Sequence, residues 1–147
     1  MSRLNMQQVN PEAYKAILGL EKYVAGTSLN SIHKELIRIR ASQINGCAFC
    51  VDQHTRDARA KGETEQRIYA LTVWRDTGFF TEEEQAILAL TEEVTMISGH
   101  VSDGTYNKAV ALLGERYTTE VLTAIISINA LNRIGITTKM MPASRAL

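Results

Sequence analysis

Proline is nearly missing from this chain of 147 residues: it stands at Pro11 and Pro142 and nowhere between. The residue that most strongly interrupts helices is therefore absent from the whole middle of the sequence. No stretch alternates apolar and polar residues for long, which removes the usual signature of a half-buried strand. Net charge is also absent, with 16 basic residues against 16 acidic ones, so electrostatics marks out neither a nucleic-acid binder nor a protein drawn to acidic membranes. Continuous apolar runs of membrane-spanning length are missing as well, and Met1 to Asn10 is polar where a secretory signal needs an apolar core. The expectation is a cytoplasmic protein without a membrane partner. Cysteine occurs only twice, at Cys47 and Cys50, which in a reducing compartment points to redox or metal chemistry and not to a disulfide scaffold.

What remains reads as helix from end to end. Asn10-Pro11-Glu12 is a cap, a first-turn proline and a first-turn acid, and Ile17, Leu20 and Val24 recur at helical spacing until Gly26. A second helix begins at Asn30 or Ser31, carries Ile32, Leu36 and Ile39 on one face, and stops at Asn45-Gly46, a left-handed cap. A third starts around Cys47 and runs to Lys61, with Gly62 to end it. A fourth spans about Glu63 to Arg75, with Ile68 and Leu71 inward. Thr81-Glu82-Glu83-Glu84 is a capping box for a fifth, whose buried side is marked by Ile87, Leu90, Val94 and Ile97 as far as Gly99. Ser102 or Asp103 opens a sixth that ends at Gly114. Thr118 or Thr119 opens the last, which is apolar on most sides from Val121 to Ile136 and so reads as buried in the bundle or in a subunit contact. Asn129, Asn132 and Arg133 interrupt it and read as structural polar groups in need of partners. The tail from Lys139 to Leu147 reads as loosely held. The fold expected is all-α, a single domain over 1–147 built as a bundle of about seven helices.

Chemistry concentrates in Ile44-Asn45-Gly46-Cys47-Ala48-Phe49-Cys50-Val51-Asp52-Gln53-His54. The first N–H groups of a helix lack internal partners and the macrodipole is positive there, so a thiolate at Cys47 or Cys50 is stabilised. Residues four apart share a helix face, which brings His54 within reach of Cys50 as a base or as an imidazolium partner. Cys50 is then the attacking thiol, and Cys47 closes a disulfide once Cys50 has become a sulfenic acid. Against this order, Cys47 lies nearer the helix start, and spacing alone leaves the two roles open. Glu35 lies roughly 15 Å down the second helix from the break and His54 some 10 Å into the third, so an antiparallel hairpin brings the two to similar depth. Such a carboxylate can orient His54 or relay a proton through a water. Two rival readings use the same residues: zinc held by Cys47, Cys50, His54 and a further ligand, and a pair of buried, inert cysteines. His33 and His100 show no evident partners, and Trp74, Phe79 and Phe80 read as core or interface residues.

The spacing of Glu35, Cys47-x-x-Cys50 and His54 resembles that of the alkylhydroperoxidase D-like proteins of the carboxymuconolactone decarboxylase superfamily. The likeness is widest over Ser31 to Leu71, in Glu35-Leu36-Ile37-Arg38, Ala41-Ser42-Gln43-Ile44-Asn45-Gly46-Cys47 and His54-Thr55-Arg56-Asp57-Ala58-Arg59, and continues more loosely in Ala89-Leu90-Thr91-Glu92 and Ile128 to Arg133. It implies an all-α fold in which a helical hairpin presents the site, assembled as a homo-oligomer, commonly a trimer or hexamer. It also implies thiol peroxidase activity on a hydroperoxide, with Cys50 peroxidatic, Cys47 resolving, and His54 and Glu35 as proton relay. No metal, haem or flavin is called for, and an external dithiol or a thioredoxin-like or lipoyl-type protein would restore the thiols. One departure is Phe49, which stands where the best-studied type of member has a second histidine. Two other classes are kept as alternatives, a redox-responsive binding module and a cofactor-free decarboxylase or isomerase, although the decarboxylase branch generally lacks the cysteine pair.

Overall fold

The computed structural model describes residues 3–145, and among them helix is the only regular structure. A short α1 (Met6–Val9) leads into α2 (Pro11–Ala25), α3 (Ser31–Asn45), α4 (Ala48–Ala60) and α5 (Glu65–Tyr69). A 3₁₀ stretch, Leu71–Asp76, separates α5 from α6 (Glu82–Thr95), and a 3₁₀ turn, Ile97–Gly99, separates α6 from α7 (Asp103–Leu113) and the long α8 (Glu115–Thr137). No helix among the described residues is long and apolar enough to cross a membrane.

Local chemistry explains most helix starts. The Asn10 side chain accepts the Ala13 N–H with Pro11 in the first turn, and Asn30 accepts from Ile32 and His33. Thr81 and Glu84 form the expected capping box. At the end of α3, Gly46 takes φ 77°, a left-handed turn that a side chain would strain, and the chain reverses directly into α4.

The centre of the molecule is α3, which packs against α4, α6 and α8 at once. Ile37 and Ala41 join Val24, Ile87, Val121, Ile125 and Ile128 in one apolar cluster, while Leu36 and Ile39 join Ala58, Leu71, Trp74, Phe80 and Leu88 in another. Leu36, Ile37 and Ile39 are fully buried, each contributing about 1.5–3 kcal/mol of apolar transfer. A helix enclosed on so many sides has no solvent face over its middle, and for that reason Glu35 ends up 1% exposed.

Several expectations need correction. The fourth helix does not run from Glu63 to Arg75: buried Glu63 pairs with Arg67, Thr64 caps α5, and Val73 leaves helical geometry at φ −126°. The three-residue spacing of Leu71 and Trp74 then suits 3₁₀ geometry, which sends both inward. The fifth helix stops at Thr95, which is buried, and Ile97 is exposed, so the apolar part of its inner side ends at Val94. The last helix begins earlier, at Glu115 after Gly114 (φ 81°), because the hydroxyls of Thr118 and Thr119 donate to carbonyls of the turn before them instead of capping. Of its apolar residues, Leu122, Ile126 and Ile136 are exposed on the single chain. His33 has a partner after all, its Nδ1 lying 2.8 Å from the Tyr117 hydroxyl. The tail is held over its described part: the Met140 N–H donates to the Gly135 carbonyl, and Arg145 makes a two-pronged ion pair with Asp52 at 2.9 and 2.6 Å. Residues 146–147 lie outside the described residues. Trp74 and Phe80 are core residues as expected, whereas Phe79 is exposed.

The polar residues of α8 do find partners. Asn45, at the end of α3, donates to Asn129 Oδ1 at 2.9 Å and Asn132 Oδ1 at 3.0 Å, and Asn132 donates in turn to the Ser42 hydroxyl at 2.9 Å. This ladder fixes α8 along the last turn of α3, immediately before the reversal into α4. Replacing Asn132 by Ala should cost about 2 kcal/mol in urea unfolding, because the buried Ser42 hydroxyl then loses its donor and Asn45 keeps only one of its two acceptors. A loss below about half of that would show that water replaces the ladder at little cost.

Candidate active site

Cys47 is the N-cap of α4, and its Sγ accepts the Cys50 N–H at 3.3 Å. The two sulfurs are joined as a disulfide with the Cα atoms 5.3 Å apart. Both residues are buried, but only Cys50 lines the cavity beside them. That cavity, about 210 Å³, lies between α2, α4 and α8. Its apolar walls include Tyr14, Leu18, Phe49, Leu131, Ile134 and Met140, and its polar edge is Glu21, Gln53 and His54. Phe49, at the position of the absent second histidine, is thus part of the wall.

Helix α4 runs back along α3, so His54 Nδ1 comes to 3.3 Å from Glu35 Oε2. These two atoms are buried and have no other protein partner within hydrogen-bonding geometry; their own approach is off the alignment of a full hydrogen bond. Asp57 Oδ2 lies 3.6 Å from the same imidazole nitrogen. The other oxygen of Glu35 accepts from Arg38 at 2.6 Å and from Lys61 at 2.8 Å. Arg38 reaches further, to Glu21 Oε2 at 2.7 Å, and Glu21 Oε1 accepts the Ser127 hydroxyl at 2.9 Å. Four helices thereby feed one buried carboxylate. Burial pushes the Glu35 carboxyl up, but the His54 imidazole, the Lys61 ammonium and the charge of Arg38 together overcome it and hold the group at about 2. Glu35 is therefore an anion throughout the neutral range.

The structure brings Glu35 to His54 and places Cys50 and His54 on one cavity, while Cys47 sits behind Cys50, away from the cavity lining. Arg38, Lys61, Glu21, Gly135 and Met140 were not among the expected site residues. Arg38 had a local signal, since it lies one turn from Glu35 on the same helix. A glycine inside an apolar helix, Gly135, signals close approach: a methyl group built on it would stand 3.0 Å from Cys47 Sγ and 3.7 Å from Cys50 Sγ. Glu21, Lys61 and Met140 arrive from other elements, with no local pattern to mark them.

Donor atoms of Glu35, His54 and Asp57 fall within 4.8 Å of one another, the spacing a metal ion would need. Arg38 and Lys61 already supply the positive charge that Glu35 requires, so this set does not fit a resident cation. Zinc on Cys47, Cys50 and His54 would need both sulfurs as thiolates, which the disulfide state does not offer.

Residues 11–93, from the first turn of α2 through most of α6, match the model of the carboxymuconolactone decarboxylase family. The chain belongs to that family. It is 42% identical over 144 residues to the uncharacterized protein YdfG of Bacillus subtilis, covering 97% of this chain and 98% of that one. Its fold superposes with a TM-score of 0.96, at 36% identity, on a protein of unknown function from Agrobacterium tumefaciens proposed to be the antioxidant defence protein AhpD; 99% of this chain and 100% of that chain are covered. The debrominase Bmp8 shares the fold at a TM-score of 0.83 and 20% identity, over 92% of this chain and 73% of its own. Within the family, then, this chain has the alkylhydroperoxidase D-like fold, and the site just described sits on its helical hairpin.

The sign of the Glu35 contribution follows from its depressed value. A carboxyl brought from 4.5 down to about 2 stabilises the folded state fully above the higher value and loses that stabilisation as pH falls toward the lower. The amount is about 3 kcal/mol. Glu35→Gln should lose a comparable amount in urea unfolding at neutral pH, leaving Lys61 without its anion and Arg38 with Glu21 alone, and should lose little more on acidification through that window. Equal acid sensitivity in wild type and variant would show that Glu35 is not the titrating group.

Proposed function

We propose that this protein is a thiol peroxidase that reduces a hydroperoxide through Cys50 and Cys47. The observation that carries the reading is the shared cavity of Cys50 and His54, with His54 backed by a carboxylate that stays ionised. In the reduced protein, the Cys50 thiolate attacks the outer oxygen of the peroxide, the O–O bond breaks, and the leaving alkoxide takes a proton from the His54 imidazolium. The product is an alcohol and a sulfenic acid on Cys50. The Cys47 thiol then displaces hydroxide from that sulfur, giving water and the disulfide, and an external dithiol returns both residues to thiols.

Glu35 enters this scheme as a fixed anion. A carboxyl held at about 2 does not pick up a proton near neutrality, so its part is to face the ring as a fixed negative charge and to orient it. The apolar walls of the cavity favour a hydroperoxide with a small organic group. The fold similarity to the Agrobacterium protein proposed to act in antioxidant defence supports the same reading, and the debrominase on the same fold shows that the scaffold by itself does not choose a substrate.

Hydroperoxide consumption in the presence of a dithiol tests the proposal. Cys50→Ser should abolish turnover, and His54→Ala should lower it roughly a hundredfold while the protein stays folded. Wild-type rates in Cys50→Ser would refute it.

A further inference from the structure

The two sulfurs of the disulfide differ in what surrounds them, and the difference bears on the reductive half of the cycle. Cys50 Sγ belongs to a residue that lines the 210 Å³ cavity, next to His54. Cys47 contributes nothing to that lining and is 2% exposed. The backbone of α8 lies against it at Gly135, where even a methyl group would come within 3.0 Å of its sulfur. A thiolate arriving from solvent through the cavity meets Cys50 and is kept from Cys47.

Cys47 is also the better leaving sulfur. It is the N-cap of α4, a helix of 13 residues, and its Sγ already accepts the Cys50 N–H. Negative charge that develops on this sulfur falls at the positive end of the helix, which stabilises the departing thiolate and speeds departure.

Resting on the dithiol cycle proposed above, we infer that the reducing thiolate enters at Cys50 and expels Cys47. The incoming thiolate forms a bond to Cys50 Sγ, the Cys47–Cys50 bond breaks, and its electron pair leaves on Cys47, which then takes a proton. A second thiol of the reductant attacks the reductant's own sulfur in the mixed disulfide, and Cys50 departs as the thiolate ready for the next peroxide. Both partners are oxidised or reduced at Cys50, one after the other in the same cavity, and Cys47 touches neither. This inverts the order familiar from thioredoxin-type sites, where the first cysteine is the exposed one.

The test uses the oxidised wild-type protein, β-mercaptoethanol in limiting amount, an acid quench, alkylation of free thiols and peptide mapping. The expected product carries mercaptoethanol on Cys50 and the alkyl group on Cys47; the reverse labelling overturns the inference. If the adduct is too short-lived to map, single-thiol variants decide. In exchange with dithiodinitrobenzoate, free Cys50 in Cys47→Ser should react roughly a hundredfold faster than free Cys47 in Cys50→Ser. Equal rates, or a faster Cys47, refute the assignment, and Cys47→Ala with Cys50→Ala repeats the comparison should either serine variant fold poorly. Peroxide is absent throughout. Exchange at Cys50 in a protein that no peroxide oxidises would therefore sink the peroxidase reading alone, while exchange at Cys47 in an active peroxidase would sink this inference alone.

Discussion

The buried charge of Glu35 is the constraint around which the site is arranged. An isolated carboxylate inside a protein costs several kcal/mol, and here the cost is met by Arg38 and Lys61 on one oxygen and by His54 facing the other. Each of these partners must come from a defined direction. Arg38 stands one turn along α3 and is itself held by Glu21 from α2, which ties the second helix to the central one. Lys61 and His54 both belong to the α4 side of the hairpin, so α4 must run back along α3 for the carboxylate to be satisfied. The hairpin that presents the cysteines is thus fixed partly by the same charge that orients the imidazole.

The opposite end of the hairpin depends on polar packing. Asn45, Asn129, Asn132 and Ser42 bind α8 to α3 just before Gly46 turns the chain, and Gly135, a turn further along α8, lets that helix lie directly over Cys47. Helix α8 accordingly has two tasks: it shields the sulfur at the N-cap, and it supplies Leu131 and Ile134 to the cavity wall. Removing the side chain at position 135 is what makes so close an approach possible, at the usual cost of a glycine inside a helix, about 1 kcal/mol relative to alanine.

Much of this was legible in the sequence because it is local. Asn10, Asn30 and Thr81 announce helices through bonds that span three residues, and Asn45-Gly46 announces the reversal through a backbone conformation that glycine adopts freely. The depth argument for Glu35 and His54 needed only the rise per residue, and the structure brings the pair to 3.3 Å. The misreadings share a different cause. Val73 and Met96 leave helical geometry in a sequence without a breaker, because Leu71, Trp74 and the neighbouring packing decide where the chain turns. Lys61, Glu21 and Met140 reach the site from other elements, and the Arg145–Asp52 pair joins residues too far apart in sequence for any periodicity to reveal.

Whether the geometry is a peroxidase site comes down to which atom a peroxide oxidises first. Stopped-flow mixing of the reduced protein with substoichiometric hydroperoxide, followed by trapping and mass spectrometry, reads that directly. A sulfenic acid on Cys50, formed in proportion to peroxide and then lost to the Cys47–Cys50 disulfide, is the expected result. Oxidation that begins on Cys47, or thiols that survive the peroxide unchanged, would contradict it.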